Sequence, residues 1–296
     1  MAFEDFSNYI AVNCSRLNPR VPDKKDQEKY VHNWQQRYAK VFKEGNEEQT
    51  FIWNIRVHKA LKEVFTSASF YQESLIVKES KSWASFYFLN YYSLFHALLS
   101  CIYLIPEESI DNLPEITHSK VVKVFKSHFC DKKPHIIDEK IVDLFYLSQF
   151  LREYYSYNLP PNDFMYGING DSKPDIELPY YLESTFQLAS FLSELLERAC
   201  GKHGKEIKNK HKHRDLVTKY YCQVNSSKHP ATGDYILHYV DKVRMRETLE
   251  YPAPVAFVIE LEHFTDEFRN YEGGDKPIHA DGSEINTAGF VYRAIR

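Results

Sequence analysis

The chain has 296 residues, 43% of them hydrophobic and 26% charged, a globular balance with enough apolar side chains for a sizeable core, which excludes a disordered chain. Its formal net charge of −4 excludes a molecule that attracts nucleic acid over its whole surface, so any such contact must use a local patch. Aromatic residues reach 15%, a surplus that serves interfaces as well as cores.

After the breaker-rich stretch 18–23, the pattern predicts a helix from Asp26 to Lys43, stopped by Gly45-Asn46. Its mixed polarity makes it a packing accessory. A long helix is predicted from Glu48 to Lys78, where Ile52, Ile55, Val57, Leu61, Val64 and Phe65 recur near helical spacing. After a polar break at 80–82, an apolar helix follows to Ile105. Thr117 is placed to cap a helix from His118 to Phe129, and another runs from Ile136 to Tyr157. Pro160-Pro161 ends it, and 162–177 read as a long irregular connection of the kind that is often functional. A fifth helix of this group runs from Leu178 to Ala199 and stops at Gly201. Beyond the basic run 202–214, alternating Tyr235, Leu237 and Tyr239 predict one strand, and Val255 to Leu261 another. A short helix from Glu262 to Tyr271 and a glycine-punctuated end follow. The fold class is mainly α: an antiparallel helical bundle (47–201) with an N-terminal helical extension (1–46), a basic linker (202–214) and a small α+β region (215–296).

Ala84 to Ile105 carries no charge and is long enough to span a bilayer. Asn90, Ser93, His96 and Ser100 lie inside it, however, and its tyrosines fall mid-segment, so it reads as a central helix surrounded by others. The five scattered cysteines form no disulfide framework, and the acidic N-terminus has no signal-peptide pattern. Together these point to a reducing, cytoplasmic setting with no membrane contact.

On a helical wheel, Ser82, Ser85, Leu89, Ser93, His96 and Ser100 share one sector of roughly 80°. Such a stripe allows close helix approach or lines a polar cavity. His96 is therefore either a hydrogen-bonded core imidazole or one that faces a site.

Three segments carry a resemblance. Tyr91-Tyr92-Ser93-Leu94-Phe95-His96-Ala97 is followed by Thr117-His118-Ser119 with Val122, Phe125, His128 and Phe129, and then by Leu151-Arg152-Glu153-Tyr154-Tyr155-Ser156-Tyr157. In order and spacing they resemble the HEPN family over residues 51–160. The resemblance implies a helical bundle, a homodimer, no cofactor, and an RNA-centred role in prokaryotic defence or a toxin–antitoxin pair. Active members pair an Arg with a His a few residues later and cleave RNA without a metal. The His moves protons and the Arg stabilises the pentacoordinate phosphate.

This chain departs at the decisive position. Where the histidine would stand behind Arg152 come Tyr157, Asn158 and Leu159, none a proton shuttle at neutral pH. Arg152 retains a phosphate-binding role, with Tyr157 or Asn158 as hydrogen-bond donors. A literal match, Arg198 to His203, falls outside the resembling region. His118 replaces the shuttle only if the bundle brings it near Arg152; His128 is a weaker candidate. The basic run offers Lys202, Lys205, Lys208, Lys210, Lys212 and Arg214 to RNA phosphates. Cys200, His203, His211 and His213 match no ordinary zinc spacing, so no metal is expected. The missing histidine favours a dimeric module that binds RNA, a nucleotide or a protein partner, the last through the C-terminal region. The alternative is a metal-independent endoribonuclease using Arg152, His96 and His118.

Overall fold

A short helix, α1 (Phe3–Ile10), opens the chain and buries Phe3 and Phe6. The wheel of the next helix, α2 (Lys24–Glu44), is less mixed than its composition suggests. Trp34, Tyr38 and Phe42 all face inward and are buried, so α2 is a core element rather than an accessory. Asp23 caps it by accepting from the backbone N–H groups of Lys25 and Asp26. Gly45 ends it for reasons of space: a Cβ there would lie 2.6 Å from the Val41 carbonyl oxygen. The structure, a computed structural model, describes residues 1–158, 176–261 and 287–296.

Helices α3 (Glu48–Glu79) and α4 (Trp83–Ile102) form a long hairpin across the polar break at 80–82. Two serines let them close up: Ser67 Oγ donates to the Ser93 carbonyl at 2.7 Å and Ser93 Oγ donates to the Ser67 carbonyl at 2.9 Å. Of the small-residue stripe of α4, Ser93 thus meets α3, while Ser82 and Ser85 are exposed at its start. Helices α5 (His118–Phe125), α6 (Lys140–Tyr157) and α7 (Pro179–His203) pack on the other sides of α4, which is the central helix of the fold. Among the described residues no helix is long and apolar enough to cross a membrane.

Several boundaries differ from the predicted ones. Helix α7 runs through Gly201 and ends at Gly204, whose N–H donates to the Cys200 carbonyl at 2.7 Å. Helix α6 starts at Lys140, because Ile137 is held outside it by a backbone bond to Phe129 at 3.1 Å. Thr117 caps α5 as expected, accepting from the N–H of Lys120, and α5 passes into a wider turn at Lys126–Cys130.

The C-terminal region is more helical than its pattern suggests. Helix α8 (Arg214–Asn225) packs on α3 and was not predicted. The strand at 235–239 shrinks to a two-residue hairpin, Ser227–Lys228 with Tyr235–Ile236, because His238 caps α9 (Tyr239–Glu250). Gly233, at φ +73°, turns that hairpin. Residues 255–261 are not a strand. Glu197 Oε2 and Ser193 Oγ accept the N–H groups of Ala256 and Phe257, and a helical turn starts there. The predicted helix at 262–271 and most of the glycine-rich end lie outside the described residues. Helix α10 (Thr287–Ile295) docks on α3 and α7, and its Ile295 carbonyl accepts the Asn13 N–H at 2.7 Å. One contiguous hydrophobic core therefore runs from Phe3 to Ile295.

Candidate functional site

The long α3 places Lys59 and Glu63 one turn apart, so both lie on the same face. Lys59 Nζ sits 2.6 Å from Glu63 Oε1, while the other carboxylate oxygen, Oε2, meets Nδ1 of His96 across the α3–α4 seam. The Glu63 side chain is only 4% exposed and His96 is 20% exposed. The serine contacts one turn away bring α4 close enough for this reach.

His118, in the first turn of α5, bonds through Nδ1 to the phenol of Tyr91. The guanidinium of Arg152, on α6, lies over the same Tyr91 ring, 4.4 Å from its centroid, a cation–π contact. Two aromatic rings tie the histidines together. Tyr92 lies 6.4 Å from the His96 ring and 6.0 Å from the His118 ring, and Phe95 lies 5.3 Å and 4.3 Å from them. His96, His118 and Arg152 come from α4, α5 and α6; both histidines pack on Tyr92 and Phe95, and Arg152 lies 5.9 Å from the Tyr92 ring.

The electrostatics assign protons. Burial alone would raise the Glu63 carboxyl, but Lys59 and His96 outweigh it and hold it down at about 2. An ionised carboxylate only accepts, so Nδ1 of His96 carries hydrogen. His118 is pushed below its ordinary value by burial, then by the positive charge of Arg152 and by His96, which keeps its imidazole neutral at pH 7. Burial pushes Tyr91 up to about 12, so it stays a phenol. Arg152 Nη2 donates to Glu153 at 3.0 Å, whereas its buried Nε has no hydrogen-bond partner among the described residues. The cluster therefore holds a neutral imidazole, a second imidazole with an ordered proton, and a guanidinium with unspent donors.

The other candidates lie elsewhere. Tyr157 and Asn158 are exposed at the end of α6, with Tyr157 78% exposed. His128 contacts Arg37 on α2 and is lowered to about 4 by burial, Lys132 and Arg37. Arg198 is paired with Glu194 at 2.6 Å and lies over Phe6, so the literal Arg–His spacing at 198–203 is a packing feature.

The basic run gathers at the far end of α3. Its anchor is the buried His213, bonded to Glu47 at 2.9 Å. Glu47 precedes Glu63 by 16 residues, roughly 24 Å along a helix. Lys202, Lys208, Lys212 and Arg214 are exposed there, while Lys205 reaches the Lys43 carbonyl and Lys210 the Glu250 carbonyl. Lys205, Lys212 and His213 also line a cavity of about 480 Å³ with Asn46, Glu47 and Glu48. Among the described residues no group of three or more His, Cys, Asp and Glu side chains is placed to hold a metal. The five cysteines are free and buried.

The sequence pointed to His96, His118 and Arg152 as candidates, and the structure adds Glu63, Lys59 and Tyr91 as their contacts. The Lys59–Glu63 spacing is visible in the sequence, yet every long helix carries such pairs. No family model, curated protein or solved structure matches this chain.

Proposed function

We propose that the chain is a metal-independent endoribonuclease of the HEPN type, with His96, His118 and Arg152 as its catalytic residues. The observation that carries this reading is the gathering of the three side chains at Tyr92, whose ring lies 6.4 Å from His96, 6.0 Å from His118 and 5.9 Å from the Arg152 guanidinium. No histidine follows Arg152 in sequence, which favoured a non-catalytic binding module. Two histidines from neighbouring helices supply the proton-transfer groups instead.

Neutral His118 takes the proton of a ribose 2′-hydroxyl, and the 2′-oxygen attacks the adjacent phosphorus. The P–O5′ bond breaks as His96, entering the step as the imidazolium with Nδ1–H held by Glu63, gives its Nε2 proton to the leaving oxygen and is left as the neutral Nδ1–H form, and the products are a 2′,3′-cyclic phosphate and a 5′-hydroxyl. Arg152 offsets the charge that builds on the phosphoryl oxygens. The basic run at the far end of α3 would hold flanking phosphates.

A homodimer belongs to the same proposal. The outward face of α6 exposes Tyr146, Leu147, Phe150, Tyr154 and Tyr157, an apolar stripe of the kind that pairs with another surface. A role in prokaryotic defence or a toxin–antitoxin pair follows from the family resemblance.

The test is cleavage of a short single-stranded RNA in excess EDTA. Wild type is expected to cleave, and His96→Ala and His118→Ala to cut the rate by about 10²- to 10⁴-fold. Arg152→Ala should weaken RNA binding as well as turnover. Binding without cleavage would return the chain to the binding-module reading, and neither binding nor cleavage would remove both.

A further inference from the structure

A carboxylate as buried as Glu63 is costly unless its charge is offset and both oxygens find partners. Lys59, one turn earlier on the same helix, already offsets the charge through Oε1. His96 adds to this from the other side: Oε2 is directed at its Nδ1 across the helix seam. The reciprocal Ser67–Ser93 bonds fix the approach of the two helices and so the length of this contact. Nε2 of His96 has no hydrogen-bond partner among the described residues, and the ring is only partly buried. The charged and titratable groups around His96 are Glu63 and Lys59 from α3, Tyr92 of its own helix and His118 from α5.

We infer that Glu63 is a positioning residue: it fixes the His96 tautomer with the proton on Nδ1, so that Nε2 is the atom that exchanges a proton with substrate. This rests on the ribonuclease reading for its chemistry but not for its geometry. Lys59 is the second half of the device. By occupying Oε1 it directs Oε2 to the imidazole, and it prevents Glu63 from taking up a proton itself. A buried carboxylate behind an imidazole orients the ring and stabilises its charged form as the second nitrogen gains a proton.

Substitution by Gln separates these roles because Lys59 remains. The ammonium has only donors, so it takes the amide oxygen and turns the amide NH₂ toward His96. Nδ1 must then accept, and the proton moves to Nε2. The experiment is ¹⁵N NMR of the histidine side chains in the full chain, well above the imidazole titration range, for wild type and Glu63→Gln. His96 is expected in the Nδ1–H form in wild type and the Nε2–H form in the variant. The Nε2–H form in wild type, or one form in both proteins, would overturn the inference; the wild-type spectrum alone decides if the variant does not fold.

Kinetics supply the second arm. Glu63→Gln should lower kcat by about 10²-fold or more with KM little changed, and Glu63→Asp, which keeps the charge, should recover part of it. Equal losses for both variants would overturn the positioning role. A tautomer switch in a protein that never cleaves RNA would support the positioning and remove the ribonuclease reading.

Discussion

Arg56 and Glu63 are both charged residues buried in the middle of α3, and neither is legible from spacing. Arg56 donates 2.7 Å hydrogen bonds to the carbonyls of Tyr103, Ile105 and Glu108 and lies over Trp53, fastening the turn that follows α4. Burial lowers it to about 10, still far above neutral pH. Arg56→Ala leaves three carbonyls short of a donor, and a loss of about 3 kcal/mol is expected in urea unfolding; a change within error would contradict this. The titrating residues give a pH dependence of definite sign. His58, His118 and His128 are all lowered, each by burial first, from an ordinary value of 6.5, and His128 reaches about 4. The unfolded chain therefore binds more protons in acid, and stability is full above about pH 6.5 and falls below it. Glu63, held at about 2 against an ordinary 4.5, contributes stability that is present above 4.5 and lost as pH falls toward 2. The thermal midpoint should drop steadily from pH 7 to pH 4 and further below it; a flat profile would be incompatible with these environments. His96 was visible because a lone imidazole on a serine stripe is unusual. Its partner was not, since a glutamate in a long helix is ordinary until another helix covers it.

At the scale of elements, the hairpin of α3 and α4 was readable from apolar spacing and a polar break, and so was the central place of α4. The strands were not. Residues 255–261 form a short apolar run, and such a run suits a strand or a buried helical turn equally. Capping groups on α7, far away in sequence, decide for the helix. Helix α8 was missed because its start, Arg214, adjoins a basic run that reads as a solvated linker, while His213 is in fact buried against Phe51 and Glu47. The serine stripe makes the element-level claim testable. Ser67→Leu puts a branched side chain where α3 and α4 meet, and a loss of about 1–3 kcal/mol is expected. Widening that seam also withdraws Nδ1 of His96 from Glu63, so the variant should lose activity beyond its loss of folded protein. Activity that simply tracked the folded fraction would argue against a coupling between packing and site.

Across the whole molecule, the described residues share one core in which the chain's two ends meet: Asn13 bonds to the carbonyls of Arg293 and Ile295, and α10 lies on α3 and α7. Composition announced a sizeable core but not its closure by the first and last helices, because contacts between such distant segments leave no local pattern. Deleting residues 1–12 removes the fully buried Phe3, Phe6 and Val12, and a destabilisation of about 4 kcal/mol or more is expected by calorimetry or urea titration. An unchanged midpoint would show that α1 is dispensable. The bundle also sets the distance between the aromatic histidine cluster and the basic run, so a bound RNA would have to span roughly 24 Å along α3. Analysis of RNA ends after incubation with the wild-type protein in excess EDTA decides whether the histidine cluster cleaves RNA. The expected products carry 2′,3′-cyclic phosphates and 5′-hydroxyls, and disappear in the His96→Ala, His118→Ala double variant. Intact RNA, or the same products from the double variant, would contradict it.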